Sequence, residues 1–99
     1  MKLQQLLAGV EIQKIHASMD TEITDVVYDS RKVTPGSLFV AVTGFATDGN
    51  RFIPMALEKG AAAVITAKEQ EEEVPYVQVA SDRLALAQIG ANCNQLCLV

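Results

Sequence analysis

Apolar residues fall along the chain in short groups whose spacing shifts between helical and strand-like, with polar, glycine- and proline-bearing stretches between them. Leu3, Leu6 and Leu7 have the i, i+3, i+4 spacing of a short amphipathic helix, and Gly9 can stop it. Val10, Ile12 and Ile15, around outward Gln13 and Lys14, predict a strand over 10–15. Residues 17–21 form a turn with Ser18 and Asp20 as local hydrogen-bonding groups. The β-formers Ile23, Val26, Val27 and Tyr28 predict a strand over 23–28. Thr34-Pro35-Gly36 is a turn, since Pro presets φ and Gly accepts a positive one. Leu38 to Val42 is apolar without alternation, as in a strand covered on both faces. A loop over 44–50 follows, in which Asp48 or Asn50 caps a helix over 52–59. That helix carries Ile53, Ala56 and Leu57 on one stripe, tolerates Pro54 in its first turn and ends at Gly60. Residues 61–65 and 74–79 read as strands, the second with Pro75 near its start, and the acidic run 69–73 between them reads as a solvated loop. Ser81 and Asp82 cap a last helix from Arg83 to about Asn92, with Leu84, Ala87 and Ile89 as its buried positions.

The order is α-β-β-β-α-β-β-α, the pattern of an α/β fold with a small, mostly parallel sheet flanked by helices. The strand–loop–helix–strand unit over 38–65 predicts a right-handed crossover between parallel strands. Repeats and low-complexity segments are absent.

Composition narrows the class. The 99 residues make one domain, and 49% apolar against 20% charged residues is the balance of a soluble globular protein. No apolar run is long enough to span a bilayer, and the first residues lack a signal peptide's apolar core and cleavage site, so a cytoplasmic location without membrane contact is expected. The net charge of −4 and the lack of a basic cluster argue against nucleic acid as a partner. Cys93 and Cys97 with the single His16 fall short of a four-ligand zinc site, and no metal ligands are assigned. The lone histidine likewise supports no nucleophile–base arrangement, so no catalytic residue is assigned.

Two polar loops remain, each starting where a parallel strand should end, the usual place for ligands in α/β sheets. Ser30 and Thr47 bring hydroxyls, Arg31 a fork of donors for phosphate or carboxylate, and Gly44 and Gly49 allow close backbone approach. Phe45 is positioned to pack on a planar ring or to anchor its own loop. Ser30 equally closes an Asx-type turn with Asp29, and Arg31 equally pairs with Asp29 or Asp48. Neither common phosphate-loop signature is present. The residues alone describe a small α/β binding module.

The run Asp29-Ser30-Arg31, then Val33 to Ala41, Gly44, Asp48-Gly49, Phe52-Ile53, Ala56 and Gly60 to Val64, closely resembles the N-terminal domain of the Mur ligases, and most of all those that add the third peptide residue of the peptidoglycan precursor. The resemblance covers residues 1–92. It implies the UDP-substrate-binding domain of an enzyme that joins UDP-N-acetylmuramoyl-L-alanyl-D-glutamate to a diamino acid, with ATP and magnesium, through an acyl phosphate. It places Ser30 on the UDP moiety, Tyr28 in the wall of the uracil pocket and Phe45, Ala46 and Thr47 on uracil and diphosphate, with Arg31 and Asp48 in support. The family more often has polar residues where Phe45 and Ala46 stand, which leaves packing and backbone N–H contacts there. The family's ATP loop, magnesium ligands and amino-acid-selecting domain are missing from the sequence, so no cofactor is assigned to this stretch and it is expected to be inert alone. Leu96 to Val99 resemble the strand leading into the ATP loop, so 93–99 is expected to be a shortened linker and the start of the central domain, the stretch's natural partner. Two rival expectations are a stand-alone interaction or regulatory domain with this fold, and the N-terminal domain of the sister ligase that adds the terminal dipeptide.

Overall fold

Five short strands and three helices alternate in a computed structural model that describes residues 1–43, 49–71 and 73–92. In chain order they are α1 (Leu3–Leu6), β1 (Ile12–His16), β2 (Asp25–Val27), β3 (Ser37–Val40), α2 (Ile53–Glu58), β4 (Ala63–Thr66), β5 (Tyr76–Val79) and α3 (Asp82–Asn92). Single 3-10 turns at Ser30–Lys32 and Gly49–Phe52 precede β3 and α2. This is the predicted element order. The sheet runs β1-β5-β4-β3-β2. Strands β2 to β5 pair in parallel, while β1 runs antiparallel along the β5 edge with an irregularity between Ile12 and Lys14.

Both faces of the sheet are covered, which explains why the strands carry little polar alternation. Phe39, Val64 and Tyr76 sit at one level on one face and pack with Val27, Val33, Ile53 and Ala56, beneath α2 and the first 3-10 turn. Leu38, Val40, Ile65, Val77 and Val79 point the other way, onto Leu3, Leu6, Ala85 and Ile89 of α1 and α3. Each such fully buried aliphatic side chain contributes roughly 1.5–3 kcal/mol relative to exposure. Helix α1 has only four residues and would not persist alone; the N–H groups of Leu3 and Gln4 donate to Thr21 and Met19, at 2.9 and 3.0 Å, and hold it in place.

Two turns depend on glycine. Gly36 has φ 92° and Gly60 φ 99°. After α2, Gly60 N–H donates to Leu57 O at 3.1 Å and Ala61 N–H to Ala56 O at 3.0 Å, the paired bonds of a Schellman motif. Gly36 N–H then donates to Gly60 O at 2.9 Å, so the turn entering β3 and the turn entering β4 are joined.

Two expectations need correction. Leu84 is 73% exposed and Ala87 is also exposed; α3 buries Asp82, Ala85 and Ile89 instead. The helix is anchored at both ends, by Asp82 to Thr43 N–H and by Asn92 Nδ2 to the carbonyls of Leu6 and Ala8, and these bonds set which stripe faces the sheet. The N-cap of α2 is Phe52, without a side-chain cap; Asn50 lies in the preceding 3-10 turn, where its Oδ1 accepts from Thr66 Oγ1. Asp48, the alternative cap, lies outside the described residues. Glu69, Glu71 and Glu73 of the acidic run are exposed, as expected of a solvated loop, and Glu69 forms a surface pair with Lys14 of β1 at 2.9 Å. Lone His16 stacks on Tyr76, with ring centroids 5.1 Å apart. Among the described residues no helix is long and apolar enough to cross a membrane.

Candidate functional site

Strand β2 ends at Val27, and Tyr28 leaves the sheet with half its surface in solvent (53%). The next three residues make their own scaffold. Asp29 Oδ1 accepts the backbone N–H of Arg31 at 2.9 Å, closing an Asx turn that caps the 3-10 turn Ser30–Lys32. The Arg31 guanidinium folds back on the same carboxylate, with Nε at 3.1 Å from Oδ1 and Nη2 at 2.8 Å from Oδ2. These hydrogen bonds hold the Asp29 carboxyl down at about 2. The open question over Arg31 is thereby answered for this state: its partner is Asp29. The Asx turn is closed by Arg31 N–H, not by the Ser30 hydroxyl. Ser30 is 6% exposed, and its carbonyl accepts from Lys59 Nζ at the end of α2, at 3.2 Å.

Opposite this turn lies the exit of β3. Val42 O accepts the N–H of Gly49 at 3.0 Å, drawing together the two ends of the stretch between them. A Cβ on Gly49 would lie 2.8 Å from Val42 O and 2.9 Å from Val42 N, so this approach requires glycine. The third wall comes from the second 3-10 turn and α2, which contribute Phe52 and Met55. Arg51 sits over the Phe52 ring, 5.6 Å from its centroid.

Tyr28, Asp29, Ser30, Arg31, Val42, Gly49, Phe52 and Met55 enclose a cleft of about 580 Å³. It opens beyond the C-terminal ends of β2 and β3, where an α/β sheet offers its free backbone groups. Tyr28 and Met55 (42% exposed) are two of the four exposed large hydrophobic residues among those described, and both face this one cleft. Apolar flanks around a hydroxyl and a backbone turn suit a planar, polar-edged ring.

Three of the expected site residues, Tyr28, Ser30 and Arg31, therefore meet in one cleft. Phe45, Ala46, Thr47 and Asp48 lie outside the described residues, between cleft-lining Val42 and Gly49. Val42, Phe52 and Met55 escaped the sequence reading. Phe52 and Met55 are three apart, so they share a face of the helical segment, but the stripe Ile53, Ala56 drew attention to the opposite, buried side. Among the described residues no group of three or more His, Cys, Asp or Glu could hold a metal ion.

Residues 22–92 match the Mur ligase family, catalytic domain. The chain is 42% identical over 93 residues to the UDP-N-acetylmuramoyl-L-alanyl-D-glutamate--2,6-diaminopimelate ligase of Alkaliphilus metalliredigens, covering 92% of the chain and 19% of that protein. It is 46% identical over 94 residues to the UDP-N-acetylmuramyl-tripeptide synthetase of Roseiflexus sp., covering 92% and 18%. A crystal structure of MurF from Acinetobacter baumannii superposes with a TM-score of 0.76 at 30% identity, covering 92% of the chain and 20% of that protein. The chain thus spans about a fifth of the length of the curated relatives it matches.

Proposed function

The chain belongs to the Mur ligase family, and from that premise we propose that it is the N-terminal domain that holds the UDP end of UDP-N-acetylmuramoyl-L-alanyl-D-glutamate for an ATP-dependent amide ligase, UDP-N-acetylmuramoyl-tripeptide synthetase. The observation that carries this reading is the cleft itself, where the Ser30 turn faces two exposed apolar side chains at the ends of parallel strands. In this reading Tyr28, Phe52 and Met55 clasp the uracil faces, and the Ser30 hydroxyl bonds to its polar edge. Phe45, Ala46 and Thr47 bring packing and backbone N–H groups to uracil and diphosphate, with Asp48 in support. Arg31 swings from Asp29 to share its charge with the diphosphate, a substitution of one anion for another.

The domain binds and orients; activation of the substrate carboxylate belongs to ATP and magnesium held by the ligase's central domain, the partner that residues 93–99 lead towards. Identities of 42% and 46% to ligases of the tripeptide-forming step, against 30% to MurF, support that step over the sister reaction.

Calorimetric titration of the chain with UDP and with UDP-N-acetylmuramoyl-L-alanyl-D-glutamate tests the proposal. Saturable binding of both is expected, and Ser30→Ala should weaken each by roughly threefold to tenfold, the effect of one neutral hydrogen bond. Unchanged affinity in Ser30→Ala would show that the hydroxyl has no part in recognition. No binding of either compound would reject the assignment of the cleft.

A further inference from the structure

We infer that Asp82 and Arg83, at the start of α3, are positioning residues for the cleft and act on it through the backbone of Thr43. The inference rests on the UDP-binding reading of that cleft. Asp82 is only 7% exposed, and carboxylates are rarely buried unless engaged. Its Oδ2 accepts the N–H of Thr43 at 2.9 Å, while Arg83 Nη2 donates to the Thr43 carbonyl at 3.0 Å. A carboxylate can only accept and a guanidinium only donate, so these adjacent residues grip both backbone polar groups of Thr43 at the exit of β3. Thr43 follows Val42, and Val42 is tied to Gly49 by the 3.0 Å hydrogen bond and by a packing too close for a Cβ. Val42 and Gly49 are the cleft wall that faces Tyr28 and Ser30. Neither Asp82 nor Arg83 lines the cleft. Their hydrogen bonds to Thr43 connect them to that wall. A bland alternative exists, in which Asp82 only complements the N-terminal end of α3.

The two readings separate in Asp82→Ala, Asp82→Asn and Arg83→Ala of this chain, using UDP as the probe and amide hydrogen exchange as a second readout. Asp82→Ala should weaken UDP binding roughly tenfold, the effect of one hydrogen bond to a charged group. It should also speed exchange at Gly49 while leaving Ile65 and Val77 as slow as in the parent. Asp82→Asn keeps an acceptor for Thr43 and should stay within about threefold of the parent. Asp82→Ala with parental UDP affinity and parental Gly49 exchange would overturn the inference, and so would equal losses in the Ala and Asn variants. If Asp82→Ala does not fold, Arg83→Ala at its exposed site carries the test: faster Gly49 exchange sustains the role, and parental exchange at that amide overturns it. If the parent chain itself fails to bind UDP, the UDP reading falls, and Gly49 exchange in the same variants still decides whether α3 holds the wall.

Discussion

Asp29 organises its surroundings with one carboxylate, which accepts three hydrogen bonds from Arg31 and shapes the turn that carries Ser30. Those bonds need the ionised form, and so the group titrates at about 2 in the folded chain instead of near 3.8. The sign follows from linkage: a carboxyl whose folded value is depressed adds stability above its unfolded value and loses it as pH falls towards the folded one. Glu22, beside the N-terminal ammonium, and Glu69, hydrogen-bonded to Lys14, are shifted in the same direction. Denaturant midpoints should therefore fall as pH drops from about 5 to about 2, and Asp29→Asn should show a shallower fall over that window. An equally steep fall in Asp29→Asn would remove Asp29 from the account. At this scale the sequence was legible where partners are neighbours. The Asx turn, and Asp29 as one candidate partner of Arg31, are readable from adjacency. The bond from Lys59 to the Ser30 carbonyl joins residues 29 apart, and no local pattern announces it.

Helices α2 and α3 carry the clearest lesson at the scale of elements. Their existence and approximate extent followed from apolar spacing and the stop at Gly60, because those signals are local. Which side of α3 faces the sheet did not, because Leu84, Ala85, Leu86 and Ile89 admit more than one apolar stripe. Asp82 and Asn92, bonded to Thr43 and to the carbonyls of Leu6 and Ala8, choose between them. Ile89→Ala should accordingly cost roughly 2–5 kcal/mol, since it opens a cavity under the sheet. Leu84→Gln, at a solvent position, should stay within about 0.5 kcal/mol of the parent. Urea unfolding of the two variants measures both, and a large loss for Leu84→Gln would mean that the helix is rotated from the orientation described. Met55 belongs to the same lesson: its exposure makes sense only once Tyr28 and Ser30 are seen across the cleft.

Across the whole molecule the two apolar cores share one sheet, since each of β2 to β5 sends side chains into both. Damage to one core must then be felt by the other, and the chain should unfold as one cooperative unit. Ile65→Val, which trims the α1/α3 side, should cost roughly 0.5–1.5 kcal/mol. It should shift the transition seen by far-ultraviolet circular dichroism and by tyrosine fluorescence equally, although buried Tyr76 reports from the α2 side. Two separated midpoints would show that the layers melt independently. By itself the sequence determined the element order, the mostly parallel sheet, the glycine turns and the stretch where a site would form, because these follow from periodicities and turn chemistry within a few residues. Only the tertiary structure decided that Phe52 and Met55 join Tyr28 and Ser30, that Arg31 rests on Asp29, and that α3 holds the exit of β3. The reason is physical. Strand order and helix rotation bring together residues up to 86 positions apart, and a local pattern carries no information about that distance.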